Sequence, residues 1–396
     1  MIREATQSAL QRLARTRVSS LHRSLPAFQV CGYTGVGVAI ALAMILTGKT
    51  GLSYWVMSAI VAAAMTSFLA LGLLMKIVTG EEQIIYYHQE IGVMVVAAFV
   101  VNLLRQPVLP YLDITILGIG AFLACGRVGC LMVGCCHGRP FPWGIRYREE
   151  HAREGFAPYL VGITLFPIQA AESLWVLFVV VRGVALIWGG QPQGSMLAWY
   201  TVGYGAARFS FEFIRGDVER PYTWGFSQAQ WLSLWLMGGV VWAEWSQQIP
   251  FHAWHSITLA GLLTVMLAVT AQRRLDQSQR FRILHPHHVR EVAAVMGRAT
   301  EPVTPRSRPG RKFLSVRVAC TSMGIQISCG RVEDPREPAD HYTLSHCNRP
   351  MSQAAAMLLA ELIRGLRRET RPSQLLPGNG AYHLILPRDR QNGAVI

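Results

Sequence analysis

The sequence predicts an all-α polytopic membrane protein of seven or eight transmembrane helices, followed by a small α+β soluble C-terminal domain. Three observations carry this. The chain is 51% apolar over 396 residues, with positive mean hydropathy, which is unusual for a water-soluble protein of this length. Apolar runs of spanning length recur along its first two thirds. Beyond a Pro/Arg-rich break, the pattern changes to short alternating stretches and one amphipathic helix.

Residues 1–25 carry Arg3, Arg12, Arg15, Arg17 and Arg23 with apolar residues between them. They read as a basic amphipathic segment on a membrane surface. They lack the apolar core of a cleaved signal peptide. The apolar runs follow within residues 26–272, at about 28–47, 54–77, 88–104, 112–134, 168–188, 196–214, 227–246 and 253–271. Without strict alternation they are helices rather than barrel strands, since only these two structures satisfy backbone polar groups in lipid. Polar loops at 135–166 and 215–226 interrupt them. Residues 273–312 read as a basic, proline-rich linker. In residues 313–396, Val316, Val318 and Cys320 alternate, as do Ile325, Ile327 and Cys329, with a turn at Ser322–Gly324. Ser352 caps a helix running to about Arg368, and Tyr382–Leu386 forms a last strand. His285, His287 and His288 read as a solvated loop.

The net charge is +14, mostly from arginine at the two ends of the chain. Beside so many apolar runs, anionic lipid head groups are the expected partner and nucleic acid is not. The eight cysteines include no C-x-x-C pair. Cys125, Cys130, Cys135 and Cys136 cluster in C-G-R-V-G-C-L-M-V-G-C-C-H-G. Their irregular spacing, with two adjacent, speaks against structural zinc, although metal binding stays open as one reading of the thiols. Inert buried thiols, a disulfide or an acyl carrier are the other readings.

The same stretch holds Arg127, an ionisable group at membrane depth that requires a partner or a task. His88 opens the third run, Gln169 and Glu172 the fifth, and Tyr204, Arg208, Glu212 and Arg215 close the sixth. Counting spans up and down brings these groups to one side of the bilayer. Arg208, Glu212 and Arg215 stand at i, i+4 and i+7, one face of a helix. Arginine forks match phosphate oxygens, and histidine is a base near neutral pH. The residues therefore point to an enzyme that binds a phospholipid head group and moves part of the lipid.

These motifs resemble the prolipoprotein diacylglyceryl transferase family. Gly126-Arg127-Val128-Gly129, with Gly134 and Gly138, matches its Gly-Arg-x-Gly signature. His88 ahead of Ile91-Gly92, the Pro167/Gln169/Glu172 set, the Tyr204/Gly205/Arg208/Glu212/Arg215 set, and Gly225, Ser227 and Gln230 follow the family order. The resemblance implies transfer of a diacylglyceryl group from phosphatidylglycerol to the lipobox cysteine of a prolipoprotein, recognised with its signal peptide, in the bacterial inner (cytoplasmic) membrane. It implies no metal or cofactor, and catalytic roles for His88, Arg127 and Arg208. Substrate-binding roles fall to Arg215, Glu212, Gln169, Glu172, Tyr204, Gly126, Gly129 and Gly138. The family's signature asparagines and glutamate are Cys130, Val133 and Cys135 here, and its first-span tyrosine is Cys31. The alternative is a catalytically altered relative that binds a phospholipid head group with different, thiol-based chemistry, or that only anchors its tail. Loop arginines place the polar loops on the cytoplasmic side; the resemblance implies the outer leaflet.

Overall fold

The computed structural model describes residues 2–20, 23–80, 86–218, 220–276, 279–300, 317–332 and 338–387. The described chain divides into two compact units, one of residues 1–145, 153–155 and 165–267, the other of 146–152, 156–164 and 268–396.

The first unit opens with α1 (Ile2–Leu13) and an antiparallel hairpin, β1 (Arg17–Ser20) and β2 (Arg23–Pro26). The expected amphipathic segment of 25 residues is therefore a 12-residue helix followed by a ribbon. Arg17 sits in the ribbon, its guanidinium held by the Ser24 hydroxyl and carbonyl. Each of the eight apolar runs forms a helix: α2 (Ala27–Thr50), α3 (Tyr54–Thr79), α4 (Tyr86–Leu103), α5 (Val108–Val133), α7 (Ile168–Trp188), α8 (Ser195–Phe211), α9 (Gln228–Trp245) and α10 (Ala253–Leu275). Among the described residues five of these, α2, α3, α5, α7 and α10, are long and apolar enough to cross a membrane. In the chain between α5 and α7 come β3 (Pro140–Arg146), the short α6 (Glu149–Arg153), nearly all of which belongs to the second unit, and β4 (Thr164–Leu165), which pairs with β3. Between α8 and α9 lies the hairpin of β5 (Tyr222–Thr223) and β6 (Phe226–Ser227).

α5 is the axis of this unit. It packs against α2, α4, α7 and α8 and is buried along most of its length. Ile114, Leu117, Val176, Val179 and Tyr200 form the core around it. A buried carboxylate fixes α8 to it: Asp113 accepts N–H bonds from Gly194 at 2.6 Å and Leu197 at 2.8 Å. It thereby satisfies donors that the start of α8 leaves open. Ser173 on α7 donates to the Ala124 carbonyl of α5 at 2.8 Å.

In the second unit, five antiparallel strands form one sheet in the order β10-β11-β9-β8-β7: β7 (Val318–Cys320), β8 (Ile325–Val332), β9 (Ala339–His346), β10 (Gln374–Pro377) and β11 (Tyr382–Pro387). α13 (Gln353–Leu366) is capped by Ser352, whose hydroxyl accepts the Ala355 N–H. The expected hairpin, helix and last strand are all present; β9 and β10 are additional. Part of the expected linker is core instead. α11 (Arg280–Ile283) and α12 (Pro286–Thr300) supply Ile283, Val292, Val295 and Met296, which pack with Ile327, Leu344, Leu359 and Leu384. Residues 301–312 of that linker and Val316 lie outside the described residues. The expected solvated histidine loop is the start of α12. His288 is buried, with Nδ1 2.8 Å from the Ile283 carbonyl and Nε2 3.3 Å from the Thr321 hydroxyl.

Candidate active site

The site is built where α5 ends, α7 begins and α8 ends, all within the first unit. α5 terminates at Gly134, whose φ of +91° suits a residue without Cβ. The chain then turns through Cys135 and Cys136 and runs beside the segment that follows α8. Gly138 bridges Arg215, Arg139 N–H bonds the Ile214 carbonyl, and Gly216 N–H bonds the His137 carbonyl. This short ladder ties the two arginine-bearing segments together. Gly138 has no alternative here, because a Cβ would lie 2.4 Å from the Phe166 carbonyl oxygen.

Glu172, 1% exposed, is the hub. Its Oε2 lies 3.0 Å from Arg127 Nε; its Oε1 lies 3.7 Å from Arg208 Nε and accepts the Tyr204 hydroxyl at 2.9 Å. Glu212 is the second hub, in contact with Arg208, Arg215 and Arg220. Arg215 also grips Asp217 through both carboxylate oxygens, at 2.9 and 2.8 Å. Arg127, Arg208 and Arg215 are each at most 6% exposed. Buried charges survive only when paired in this way. Gln169 donates to the Cys135 carbonyl at 2.8 Å and so holds the turn after α5.

The structure thus brings together Arg127, Glu172, Tyr204, Arg208, Glu212 and Arg215. The single helical face expected for the last three is broken: α8 stops at Phe211, and tighter turns at Phe213 and Ile214 carry the chain to Arg215. His88 stands apart. It is half-buried, its Nε2 3.1 Å from Gln228 Nε2 at the start of α9, and among the described residues it has no bond to Arg127 or Arg208. Its neighbour Tyr87 makes the link instead, bonding Ser233 at 2.7 Å and lying 6.1 Å, centroid to centroid, from the Tyr204 ring. Gly129 packs on α2, where a Cβ would approach Cys31 to 3.0 Å, whereas Gly126 faces open space. Both thus have helix-packing or neutral surroundings rather than a place in the charge cluster. Ser227 and Gln230 form a reciprocal capping box that starts α9, which explains their spacing structurally.

Three contributors were not singled out from the sequence: Asp217, Arg220 and Gln228. The first two share the short charged loop with Arg215, and that density of charge was the available signal. The structure also gathers the sulfurs of Cys130, Cys135 and Cys136 to within 4.8 Å of one another. The Cys136 thiol is pulled below the ordinary thiol range by hydrogen bonding from Cys130 and Cys135, aided against burial by Arg215 and Arg127. Burial pushes the neighbouring His137 down, toward its neutral form.

Residues 52–245, which include this cluster, match the family described as prolipoprotein diacylglyceryl transferase. Relatives carry the name phosphatidylglycerol–prolipoprotein diacylglyceryl transferase. That of Clostridium tetani is 31% identical over 132 residues, 32% of this chain and 49% of that one. The protein numbered 2 in Clostridium perfringens is 30% identical over 138 residues, 34% of this chain and 51% of that one. That of Dehalococcoides mccartyi is 32% identical over 130 residues, 33% and 48% of the two chains. The chain spans about half the length of the curated relatives it matches. With its buried arginines centred on Glu172 and its match over residues 52–245, the membrane region of this chain is similar to the prolipoprotein diacylglyceryl transferase family.

Proposed function

We propose that the protein transfers the diacylglyceryl group of phosphatidylglycerol to the cysteine thiol of a prolipoprotein, with α2–α5 and α7–α10 all spanning a bacterial inner membrane. One observation carries this reading. Arg127 meets Glu172 through Nε, and among the described residues its two terminal nitrogens form no ion pair. A guanidinium has five donors in a planar fork, so the outer edge of Arg127 remains available to a phosphate. Arg208 spends Nε and Nη1 on the two glutamates and keeps Nη2.

In the reaction, the acceptor sulfur attacks the glyceryl carbon that bears the phosphate oxygen. The carbon–oxygen bond breaks and glycerol phosphate leaves with the electron pair. Arg127 and Arg208 stabilise the charge that develops on that leaving group; Glu172 and Tyr204 hold the two forks in place. Arg215, Glu212 and Gln169 shape the mouth of the site. His88, steadied by Gln228, takes the proton of the thiol, which is mostly protonated near neutral pH. The lipobox cysteine would arrive on its signal peptide from the bilayer.

The test is complementation of a bacterial strain that lacks its own transferase, read by mass spectrometry of a lipoprotein's N-terminal cysteine. The expected result is a diacylglyceryl thioether with the wild-type chain and none with Arg127→Ala or Arg208→Ala. A well-expressed wild-type chain that leaves the cysteine unmodified overturns the proposal.

A further inference from the structure

The phosphate-binding reading leaves the thiols at the end of α5 without a task. Cys130 is buried on the last turn of α5, Cys136 is half-buried and Cys135 is exposed. Their side chains converge because the backbone reverses: Gly134 and Cys136 both have positive φ, +91° and +54°. For a non-glycine residue that conformation is uncommon and marks a local demand. A disulfide would join two of the three and leave the other, and core packing does not account for an exposed member.

Three sulfurs within 4.8 Å of one another fit a metal better. Tetrahedral zinc, with Zn–S near 2.3 Å, holds its sulfurs about 3.8 Å apart, so small side-chain rotations would seat one ion. Thiolates select soft cations over magnesium or calcium. Three protein ligands leave a fourth position open, the arrangement of a reactive rather than a structural site. Arg127 shares the end of α5 with Cys130, and Arg215 bridges Gly138 two residues beyond Cys136, so their charges would offset the excess negative charge of thiolates around a dication.

We propose that Cys130, Cys135 and Cys136 bind a thiophilic divalent cation of the zinc class, whose fourth position takes the acceptor cysteine of the protein substrate as a thiolate. This rests on the transferase reading above and names how its acceptor is activated. A coordinated thiol loses its proton outright, here to His88 or water. The sulfur then forms its bond to the glyceryl carbon as the carbon–oxygen bond breaks, and the electron pair leaves on glycerol phosphate beside Arg127. The thioether product is neutral and a weaker ligand, so it departs. Two of the three ligands, Cys130 and Cys135, stand where the resemblance places an asparagine and a glutamate.

Metal content of the full chain, purified in detergent under reducing conditions and dialysed against zinc or cobalt(II), tests the site without reference to activity. Uptake of about one ion per chain is expected, with a thiolate-to-cobalt charge-transfer band. Cys130→Ser and Cys136→Ser should each weaken metal affinity at least about tenfold, no less than the loss of a hydrogen-bonding partner behind a ligand costs. Cys320→Ser and Cys347→Ser, far along the chain, should keep it. No uptake by the wild-type chain, or full uptake by Cys130→Ser/Cys135→Ser/Cys136→Ser, overturns the site. Chelation that leaves lipid transfer unchanged overturns its role in activation. Full metal uptake with no transfer to any lipoprotein upholds the site and overturns the transferase reading instead.

Discussion

Arg127 and Glu172 meet at 3.0 Å, the first on the last turns of α5 and the second at the start of the second turn of α7, and neither is more than 5% exposed. Neither charge could remain there without the other. The pair therefore fixes how the two helices meet and also aims the guanidinium that the proposed chemistry requires.

Glu172→Gln should be the most damaging single change in the cluster. It removes the anion between two buried arginines, leaving Arg127 uncompensated and Arg208 with Glu212 alone. Breaking a buried pair in this way costs about 3–5 kcal/mol. Thermal unfolding in detergent should show a markedly lower midpoint, and lipid transfer should be lost. An unchanged midpoint would remove Glu172 from its place as hub.

Asp113→Ala tests the positioning of α8. The Gly194 and Leu197 N–H groups would be left buried without an acceptor. Loss of a helix-capping acceptor costs about 0.5–2 kcal/mol, and orphaned buried donors push toward the upper end. Hydrogen exchange at the start of α8 should accelerate in the variant while α7 keeps its protection.

Gly138→Ala should disrupt the site without touching a charge. The new methyl would meet the Phe166 carbonyl, which is backbone and cannot swing away. The ladder between residues 137–139 and 214–216 must then open, and transfer should fall at least about tenfold, the scale of an angstrom-level misplacement. Gly126→Ala, at a position with open space, is the matched control and should retain the fold.

Acid should loosen the second unit first around α12. Burial lowers the His288 pKa, so the folded form holds this imidazole neutral. The unfolded chain then binds the extra proton, and stability falls as pH drops from about 6.5 through the folded value. Glu291 adds a second loss at lower pH. Although burial opposes it, hydrogen bonds from Ser322 hold its carboxyl below the usual range, and their stabilisation disappears as pH falls through that folded value. Hydrogen exchange at α12 and β7, taken relative to the unprotected rate at each pH, should rise between pH 7 and pH 5 in the wild-type chain. His288→Gln should flatten that rise.

Much of this molecule is legible in its order of residues. Long apolar runs without strict alternation read as helices rather than barrel strands, so the eight helices were readable from hydropathy and pattern, although only five of them, among the described residues, are long and apolar enough to cross a membrane. The second unit was less so. β9 reads A-D-H-Y-T-L-S-H, whose alternation is hidden by polar residues on its open face. α12, with its two arginines and two histidines, has the composition of a linker; its Val292, Val295 and Met296 stripe acquires meaning only against the sheet.

The site divides along the same line. The sequence by itself determined which residues are out of place in an apolar setting, because the desolvation cost attaches to the charge itself, whichever partner offsets it: Arg127, Glu172, Arg208, Glu212 and Arg215 were all identifiable. Only the tertiary structure decided the pairings, since these depend on distances between α5, α7 and α8. It gave Glu172 two arginines and a tyrosine, moved Arg215 off the helix onto the strand-like segment beside Gly138, and joined His88 to Gln228. It also drew three irregularly spaced thiols together, because a helix end at Gly134 and a left-handed residue at Cys136 reverse the chain within a few residues.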